Sequence, residues 1–247
     1  MIQLFNIIFY QPLLNLLVLF YNFIPGHDIG VAIILLTFLI KLILYPFSAK
    51  SLKSQKALQQ LQPKINALKN QYKDQREKMG VEMMKLYKAE KVSPFSSCLP
   101  LLIQFPFLIA IYQVFYTGLA QGSLSKLYSF IPNPGTLSPI AFGFLDLSKP
   151  QVILAALAAL AQFWQARMLN FNKPEVKTTG SKDEGTLAIM NKQMVIFMPI
   201  MTFIIGFTLP SGLVLYWLVV TLLTILQQLV TFRKKKDQPA VEILDKR

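Results

Sequence analysis

The chain has 247 residues, 53% of them hydrophobic and only 15% charged, with a formal net charge of +13, a composition typical of a polytopic membrane protein. A single cysteine, Cys98, excludes an internal disulfide, and a single histidine, His27, leaves no cluster for a metal site or a nucleophile-base pair. No acidic residue lies inside an apolar run, so proton relays and paired-carboxylate catalysis are also excluded, and we expect no enzymatic activity, metal or cofactor.

Residues 1–25 form an apolar segment that is interrupted by five amide side chains and by Pro12. A signal sequence is disfavoured, because the segment has neither a basic start nor a small-residue cleavage site. The absence of Lys or Arg before position 41 argues against a cytoplasmic N-terminus. We expect an amphipathic helix on the outer face of the membrane, with a spanning helix as the alternative. The amides are Gln3, Asn6, Gln11, Asn15 and Asn22.

The first predicted span covers about residues 30–48, GVAIILLTFLIKLILYPFS, which are almost entirely apolar and yet include Lys41. A lysine near the bilayer centre costs roughly 2.5 to 3.5 kcal/mol, so such a residue usually faces a bundle interior or a wet cavity. Thr37 lies one helical turn earlier, on the same face. The alternative is that the flexible stem of Lys41 reaches the headgroups at the end of the helix.

Residues 50–92 are charged and helical, and their apolar side chains recur at steps of three and four along two short seams. This pattern predicts an antiparallel helical hairpin in the cytoplasm, whereas a solvated basic linker would need no seams. Pro63 lies inside the first arm and is expected to kink or restart that helix. Methionines in the second arm suit it to varied apolar partners. The hairpin residues that we single out are Leu58, Leu61, Pro63, Ile65, Met79, Met83 and Met84.

Four further apolar segments predict spans at about 97–118, 150–169, 192–208 and 212–232. A polar outer loop joins the second span to the third, and a cytoplasmic loop at 171–191 joins the third to the fourth. Polar or amphipathic side chains recur within these spans and are the remaining candidates for a functional site. They are Gln104 and Gln113, then Gln162 and Gln165, and finally Tyr216, Trp217 and Thr221.

The basic residues indicate which side of the membrane each segment faces. Of the 25 basic residues, 11 lie in residues 50–91, 5 in 167–192 and 6 in the tail 233–247. The positive-inside rule places these three segments in the cytoplasm, and the segments around Lys126 and Lys149 outside. We therefore expect an all-α protein with five spans, an outer N-terminus, a membrane core at residues 26–232 and a basic cytoplasmic tail.

Three blocks in this chain resemble membrane protein insertases of the YidC/Oxa/Alb family. They are AIILLTFLIKLILYPF in the first span, LQPKINALKNQYKD followed by EMMKLYKAEKVSPFSSCLPLLIQFPFLIAIY, and MPIMTFIIGFTLPSGLVLYW with the two glutamines that follow. The resemblance implies five helices around a hydrophilic groove that opens to the cytoplasm and to lipid but is closed to the outside. With no large outer domain in the sequence given, the chain resembles the minimal members.

The resemblance also implies a function and partners. It implies insertion of nascent membrane proteins into a bacterial plasma membrane, with the ribosome, the signal recognition particle receptor, the Sec translocon and anionic lipids as possible partners. The family usually has arginine where this chain has Lys41, which keeps the charge but loses the planar five-donor group. Thr37 matches the groove threonine of the family, and Trp217 its substrate-facing aromatic residue. Two alternatives stay open: an anion channel or transporter that uses Lys41, and a membrane-anchored adaptor.

Overall fold

The structure is a computed structural model that describes residues 2–72, 75–93, 99–118, 123–170 and 185–233. It is mostly α-helical, in agreement with the predicted fold class. The helices are α1 (Ile2–Phe5), α2 (Gln11–Phe23), α3 (Ile29–Ile43), α4 (Tyr45–Gln71), α5 (Arg76–Ala89), α6 (Leu99–Gly118), α7 (Val152–Asn170), α8 (Gly185–Gly206) and α9 (Ser211–Arg233). Between α6 and α7 lie a 3-10 turn (Ser123–Lys126) and two short antiparallel strands, β1 (Ile140–Ala141) and β2 (Leu145–Asp146).

The N-terminal segment is one apolar helical rod with a local defect. A π-helical turn, Asn6–Tyr10, connects α1 to α2, and the amide of Gln11 donates to the carbonyl of Asn6. Pro12 explains the defect, because proline lacks an N–H and its ring would clash with a carbonyl four residues earlier. The segment Gln3–Phe23 is long and apolar enough to cross a membrane. By length and composition, it therefore fits the spanning alternative as well as the interfacial helix.

The first predicted span differs from the observed helix. We expected one helix over residues 30–48, but α3 ends at Ile43, and α4 begins at Tyr45 after a bend of 68°. Pro46 provides the reason, because it has no N–H to continue the α3 ladder and favours the first turn of a new helix. Lys41 thus lies in the last turn of α3, four residues before α4 begins at Tyr45.

Helices α4 and α5 form the two arms of the predicted hairpin. Leu61 and Ile65 are buried, as their seam positions require, and Lys64 forms an ion pair with Glu90 across the two arms. The expected restart at Pro63 is wrong, because α4 continues through it as one helix. Pro63 lies on the exposed side, where water can satisfy the carbonyl that the proline leaves without a donor.

The other predicted spans correspond to α6, α7, α8 and α9. Helix α8 begins at Gly185, so the loop expected at 171–191 ends earlier than predicted. Residues 171–184 lie outside the described part of the chain, as does almost all of the tail 233–247. Two described helices are long and apolar enough to cross a membrane, or three if the bent pair α3 and α4 counts as one. Residues 102–117, 152–168 and 195–206 are shorter apolar helices.

One hydrophobic core joins these helices. Fully buried side chains from five helices and one loop meet in it, and they are Leu14 of α2, Ile33 of α3, Ile111 of α6, Leu147 of the loop before α7, Ala155 of α7 and Val214 of α9. Helix α9 is central, because it contacts α3, α4, α6 and α7. Polar side chains on α9 therefore have neighbours on several sides, and this helix organises the candidate site.

Candidate functional site

The side chain of Lys41 points from α3 to α9. Its ammonium Nζ donates a hydrogen bond of 2.6 Å to the hydroxyl of Thr224, and the residue is half-buried. Thr224 in turn donates to the backbone carbonyl of Val220 at 2.7 Å, which fixes the orientation of its hydroxyl. The ammonium is therefore held at the contact between α3 and α9, and not at the end of an extended stem reaching along the helix toward headgroups.

Thr37 and Thr221 are buried polar residues with partners in their own helices. Thr37 is 0% exposed and donates to the carbonyl of Ile33 at 2.6 Å, while Thr221 donates to the carbonyl of Trp217 at 2.8 Å. Such bonds within a helix satisfy a hydroxyl in an apolar environment. Thr37 thus lies in the packed core one turn before Lys41, and Trp217 is half-buried on α9.

Gln104 and Tyr216 connect α6 to α9. The side-chain amide of Gln104 donates to the hydroxyl of Tyr216, whose ring is almost completely buried. Further along α6, the side-chain oxygen of Gln113 is buried and has no hydrogen-bond partner among the described residues. A buried amide oxygen without a partner is costly, so Gln113 has capacity to accept a hydrogen bond.

Gln162 and Gln165 lie on α7, which packs against α8 and α9. Gln162 accepts a hydrogen bond from Thr202 of α8, which is buried, and Gln165 is half-buried. The predicted site residues are thus distributed over several helix contacts. The structure joins Gln104 to Tyr216 directly, whereas the partner of Lys41 is Thr224 and that of Gln162 is Thr202.

Several polar residues in these contacts were not among the predicted site residues. Thr224 holds Lys41, and Gln227, next to Gln228 on α9, donates to the hydroxyl of Ser48 in α4 at 2.8 Å. Gln228 is 0% exposed, and neither of its side-chain amide atoms has a partner in the described part of the chain. Thr224 and the two glutamines follow Thr221 at helical spacing, so the sequence does indicate one polar stripe on this helix, although not the partners of its members.

The second arm of the hairpin has an exposed apolar surface. A shallow depression of about 640 Å³ follows α5 and is lined by Gly80, Val81, Met84 and the charged residues Glu77, Lys85 and Lys88. Val81 and Met84 are more than half exposed, while Met79 and Met83 are half-buried. In the nearby ion pair, Lys85 is solvent-exposed and Glu82 is half-buried, and the hydrogen bond from Lys85 to Glu82 raises the pKa of that lysine. Apolar side chains flanked by lysines can accept an acidic amphipathic partner.

These features together define a polytopic helical membrane protein in which polar side chains and one lysine pair with partners on neighbouring helices. Comparison with known proteins identifies its family. A family model described as 60Kd inner membrane protein matches residues 19–238. The chain belongs to this family, the YidC/Oxa family of membrane insertases, which confirms the resemblance noted in the sequence.

Individual relatives agree with this assignment. The chain is 37% identical over 206 residues to proteins named membrane protein insertase YidC from Francisella tularensis subsp. novicida strain U112 and subsp. tularensis strain WY96-3418. A third relative with the same name and identity comes from subsp. holarctica strain FTNF002-00 / FTA. Each match covers 83% of this chain but 32% of the relative, so the chain spans about a third of the length of these proteins.

Proposed function

We propose that this protein inserts nascent membrane proteins into the bacterial inner membrane through a polar groove that contains Lys41. The observation that carries the proposal is the position of this one lysine within an apolar helix, turned toward α9 in a member of an insertase family. An ionised side chain inside a membrane segment is costly and marks a functional site by default. The activity moves a polypeptide from water into the lipid bilayer and involves no covalent reaction.

The topology that we propose has five spans, an outer N-terminus and a cytoplasmic C-terminus. Its support is the distribution of the 25 basic residues, of which 22 lie in residues 50–91, 167–192 and 233–247. With this orientation, the hairpin α4–α5 and the last turn of α3 face the cytoplasm. Lys41 then lies near the cytoplasmic end of the first span. A nascent membrane protein that is to be inserted, here called the client, would arrive at this end.

The mechanism separates the polar and apolar parts of a client. The hairpin meets the nascent chain, the short polar segment enters beside Lys41 and is held there by charge, and the apolar helix moves sideways into lipid. Burial of an apolar helix at about 25 cal/mol per Å² supplies the driving force. The groove lowers the barrier for the polar segment, which otherwise would have to cross hydrocarbon unaided.

The partners that we propose follow from this mechanism. Nascent membrane proteins are the clients, and the exposed apolar face of α5 with its lysines suits a ribosome-associated or receptor protein of acidic character. The ribosome, the signal recognition particle receptor and the Sec translocon are candidates. The basic tail, which begins with Arg233, suits anionic lipid headgroups.

The test is insertion into liposomes that contain the purified protein alone. Clients have one span and an outer segment that is either acidic or neutral. We expect Lys41→Ala to impair insertion of the acidic client at least about tenfold, the effect of roughly 1.4 kcal/mol, and Lys41→Arg to retain it. Lys126→Ala is the control, because this lysine lies in the loop outside the spans.

Two results would contradict the proposal. Equal insertion by the unchanged protein, Lys41→Ala and Lys41→Arg would show that the charge is dispensable. Rapid anion flux through the unchanged protein, abolished by Lys41→Ala, would instead favour the anion channel or transporter.

A further inference from the structure

Two hydrogen bonds join α9 to the two sides of the bend between α3 and α4. Before the bend, Nζ of Lys41 donates to the hydroxyl of Thr224 at 2.6 Å. After the bend, Nε2 of Gln227 donates to the hydroxyl of Ser48 at 2.8 Å. Thr224 and Gln227 are three residues apart on α9, so they lie on the same face of that helix. One short face of α9 therefore contacts both helices that meet at the bend.

The hydroxyl of Ser48 is used both as acceptor and as donor. It accepts from Gln227, and it donates to the backbone carbonyl of Tyr45, the first residue of α4, at 3.0 Å. The backbone amide of Ser48 donates to the carbonyl of Leu44, which lies between the two helices, at 2.9 Å. Because the O–H is directed at Tyr45, the hydroxyl oxygen presents a lone pair to Gln227. Ser48 thus connects the first turn of α4 to α9.

The opposite side of the bend has little packing of its own. Leu42 and Ile43, at the end of α3, are 60% and 63% exposed, and Phe47, at the start of α4, is 58% exposed. Side chains with this exposure do not fix the angle between two helices. The bend of 68° therefore depends on the inner side, where Leu44 packs against the hydrophobic core and Ser48 is bonded to α9.

The length of α4 makes this inner contact sensitive to movement of the hairpin. Helix α4 has 27 residues and is therefore about 40 Å long. A rotation of about 10° at the bend would move its far end by roughly 7 Å, and Ser48, at about 6 Å from the bend, by about 1 Å. A hydrogen bond of 2.8 Å that lengthens by about 1 Å is broken. The bond between Ser48 and Gln227 therefore holds only while the hairpin keeps its angle to the bundle.

We propose that α9 clamps the junction of α3 and α4, and that Ser48 and Gln227 are positioning residues that keep Lys41 bonded to Thr224. Lys41 lies in the last turn of α3, where backbone carbonyls lack helical donors and a helix can fray. The bond beyond the bend holds this turn against α9, so the ammonium stays beside its hydroxyl partner. A protein that moves the hairpin breaks the bond of Ser48 and frees Lys41. Because such coupling is reciprocal, a group that draws Lys41 away from Thr224 loosens the hairpin.

The test is the rate at which a small N-hydroxysuccinimide ester acylates Lys41 in the purified 247-residue chain, measured for each lysine by mass spectrometry. Lys126, an exposed lysine in the loop after α6, is the internal reference. We expect the rate at Lys41, relative to Lys126, to rise roughly threefold or more in Gln227→Leu and in Ser48→Ala, since each removes the bond. Ser48→Thr keeps a hydroxyl at this position, so its relative rate should stay within about twofold of the unchanged protein.

Two further variants calibrate the labelling. Ser54→Ala is the matched control, because Ser54 is a half-buried serine of the same helix whose side chain makes no hydrogen bond within the described ranges. Its relative rate at Lys41 should also stay within about twofold. Thr224→Val removes the direct partner of Lys41 and sets the upper limit of the rate.

A distance measurement tests the bend itself. Spin labels at Lys78→Cys in α5 and at Ser129→Cys in the loop after α6, both exposed positions, report the angle between the hairpin and the bundle in a Cys98→Ser background. We expect a wider distribution of distances in Gln227→Leu, because the hairpin is then held at the bend by fewer contacts. Ser54→Ala should leave the distribution unchanged.

The outcomes separate a positioning role from a merely structural one. Unchanged acylation of Lys41 in folded Gln227→Leu and Ser48→Ala would overturn the proposal. An equal rise in Ser54→Ala would overturn it too, because it would indicate a general loosening of α4. If Gln227→Leu fails to fold, the comparison of Ser48→Ala with Ser48→Thr decides the question. The clamp does not rest on the proposed function, since these measurements contain no client and their result is independent of insertion.

Discussion

The ammonium nitrogen of Lys41 lies 2.6 Å from the hydroxyl oxygen of Thr224, so the one charge within the first apolar segment is held by the last helix. A partner on another helix fixes the position of the charge without neutralising it. Replacement of either residue should therefore affect the other, and the coupling between them can be measured.

We predict a coupling free energy of about 1 kcal/mol between Lys41→Met and Thr224→Val, because each change removes the same hydrogen bond. The measurement is the free energy of unfolding in mixed micelles for both single variants and the double variant. Thr221→Val is the control, since Thr221 donates to a carbonyl of its own helix. Its coupling with Lys41→Met should be close to zero. Strict additivity of Lys41→Met and Thr224→Val would contradict the observed contact.

Much of the fold follows from hydrophobic patterning alone. The apolar runs predicted the ends of α6, α7 and α9 to within a few residues. The prediction works because a long apolar segment in lipid must satisfy its backbone hydrogen bonds internally, as a helix does. The end of α3 was predicted five residues too late, at Ser48. The position of this helix end depends on Pro46, which has no N–H to donate to a backbone carbonyl of α3. A search for apolar runs does not detect this local effect.

The partners of the polar residues could not be predicted in the same way. Spacing shows which side chains share a helix face, but it does not show which distant residue lies opposite. Asn15 illustrates this limit, because its partners Lys126 and Tyr128 are 111 and 113 residues away. Thr37 illustrates a second limit. A threonine one turn before a lysine can donate its hydroxyl to a backbone carbonyl of its own helix, as Thr37 does to the carbonyl of Ile33.

Glycine at position 212 permits a close approach between α9 and α6. A β-carbon there would lie 2.8 and 2.9 Å from two ring carbons of Phe115, which is too close for packed atoms. We predict that Gly212→Ala lowers the free energy of unfolding by about 1 to 2 kcal/mol through overpacking. Gly80→Ala is the matched control, because nothing lies within 4 Å of that position in α5. It should stabilise the hairpin by up to about 1 kcal/mol through helix propensity. Thermal unfolding that moves in the same direction for both variants would contradict this assignment.

In the hairpin, buried side chains stabilise the packing, whereas exposed apolar side chains are available to bind a partner protein. Leu61 of α4 is 5% exposed, whereas Met84 of α5 is 52% exposed. We predict that Leu61→Ala costs about 2 to 4 kcal/mol of hairpin stability, and that Met84→Ala changes it by less than about 0.5 kcal/mol. Hydrogen exchange across α4 and α5, measured on the 247-residue chain, reports both effects. Equal destabilisation by the two changes would refute the division between a packed seam and a docking face.

The loop between α6 and α7 should loosen in acid because of Asp146. Its carboxylate accepts from the hydroxyl of Ser148 at 2.6 Å and from the amide of Ser148 at 3.0 Å, and Lys149 lies 3.1 Å away. The hydrogen bond from Ser148, supported by Lys149, lowers the pKa of Asp146 below its ordinary value of 3.8. A carboxyl whose pKa falls on folding contributes stability above its unfolded pKa, and this contribution is lost as the pH falls through the folded pKa.

We therefore predict that Asp146→Asn accelerates hydrogen exchange at the amide of Ser148 at neutral pH. After correction for the intrinsic exchange rate, the difference from the unchanged protein should disappear as the pH falls below the ordinary pKa of the carboxyl. Ser148→Ala should reproduce most of the neutral-pH effect, because the bond from Ser148 is the largest contribution to the shift. Lys149→Met should have the smaller effect, since that lysine is largely exposed. A difference between Asp146→Asn and the unchanged protein that persists undiminished in acid would show that the charge of this carboxylate does not hold the loop.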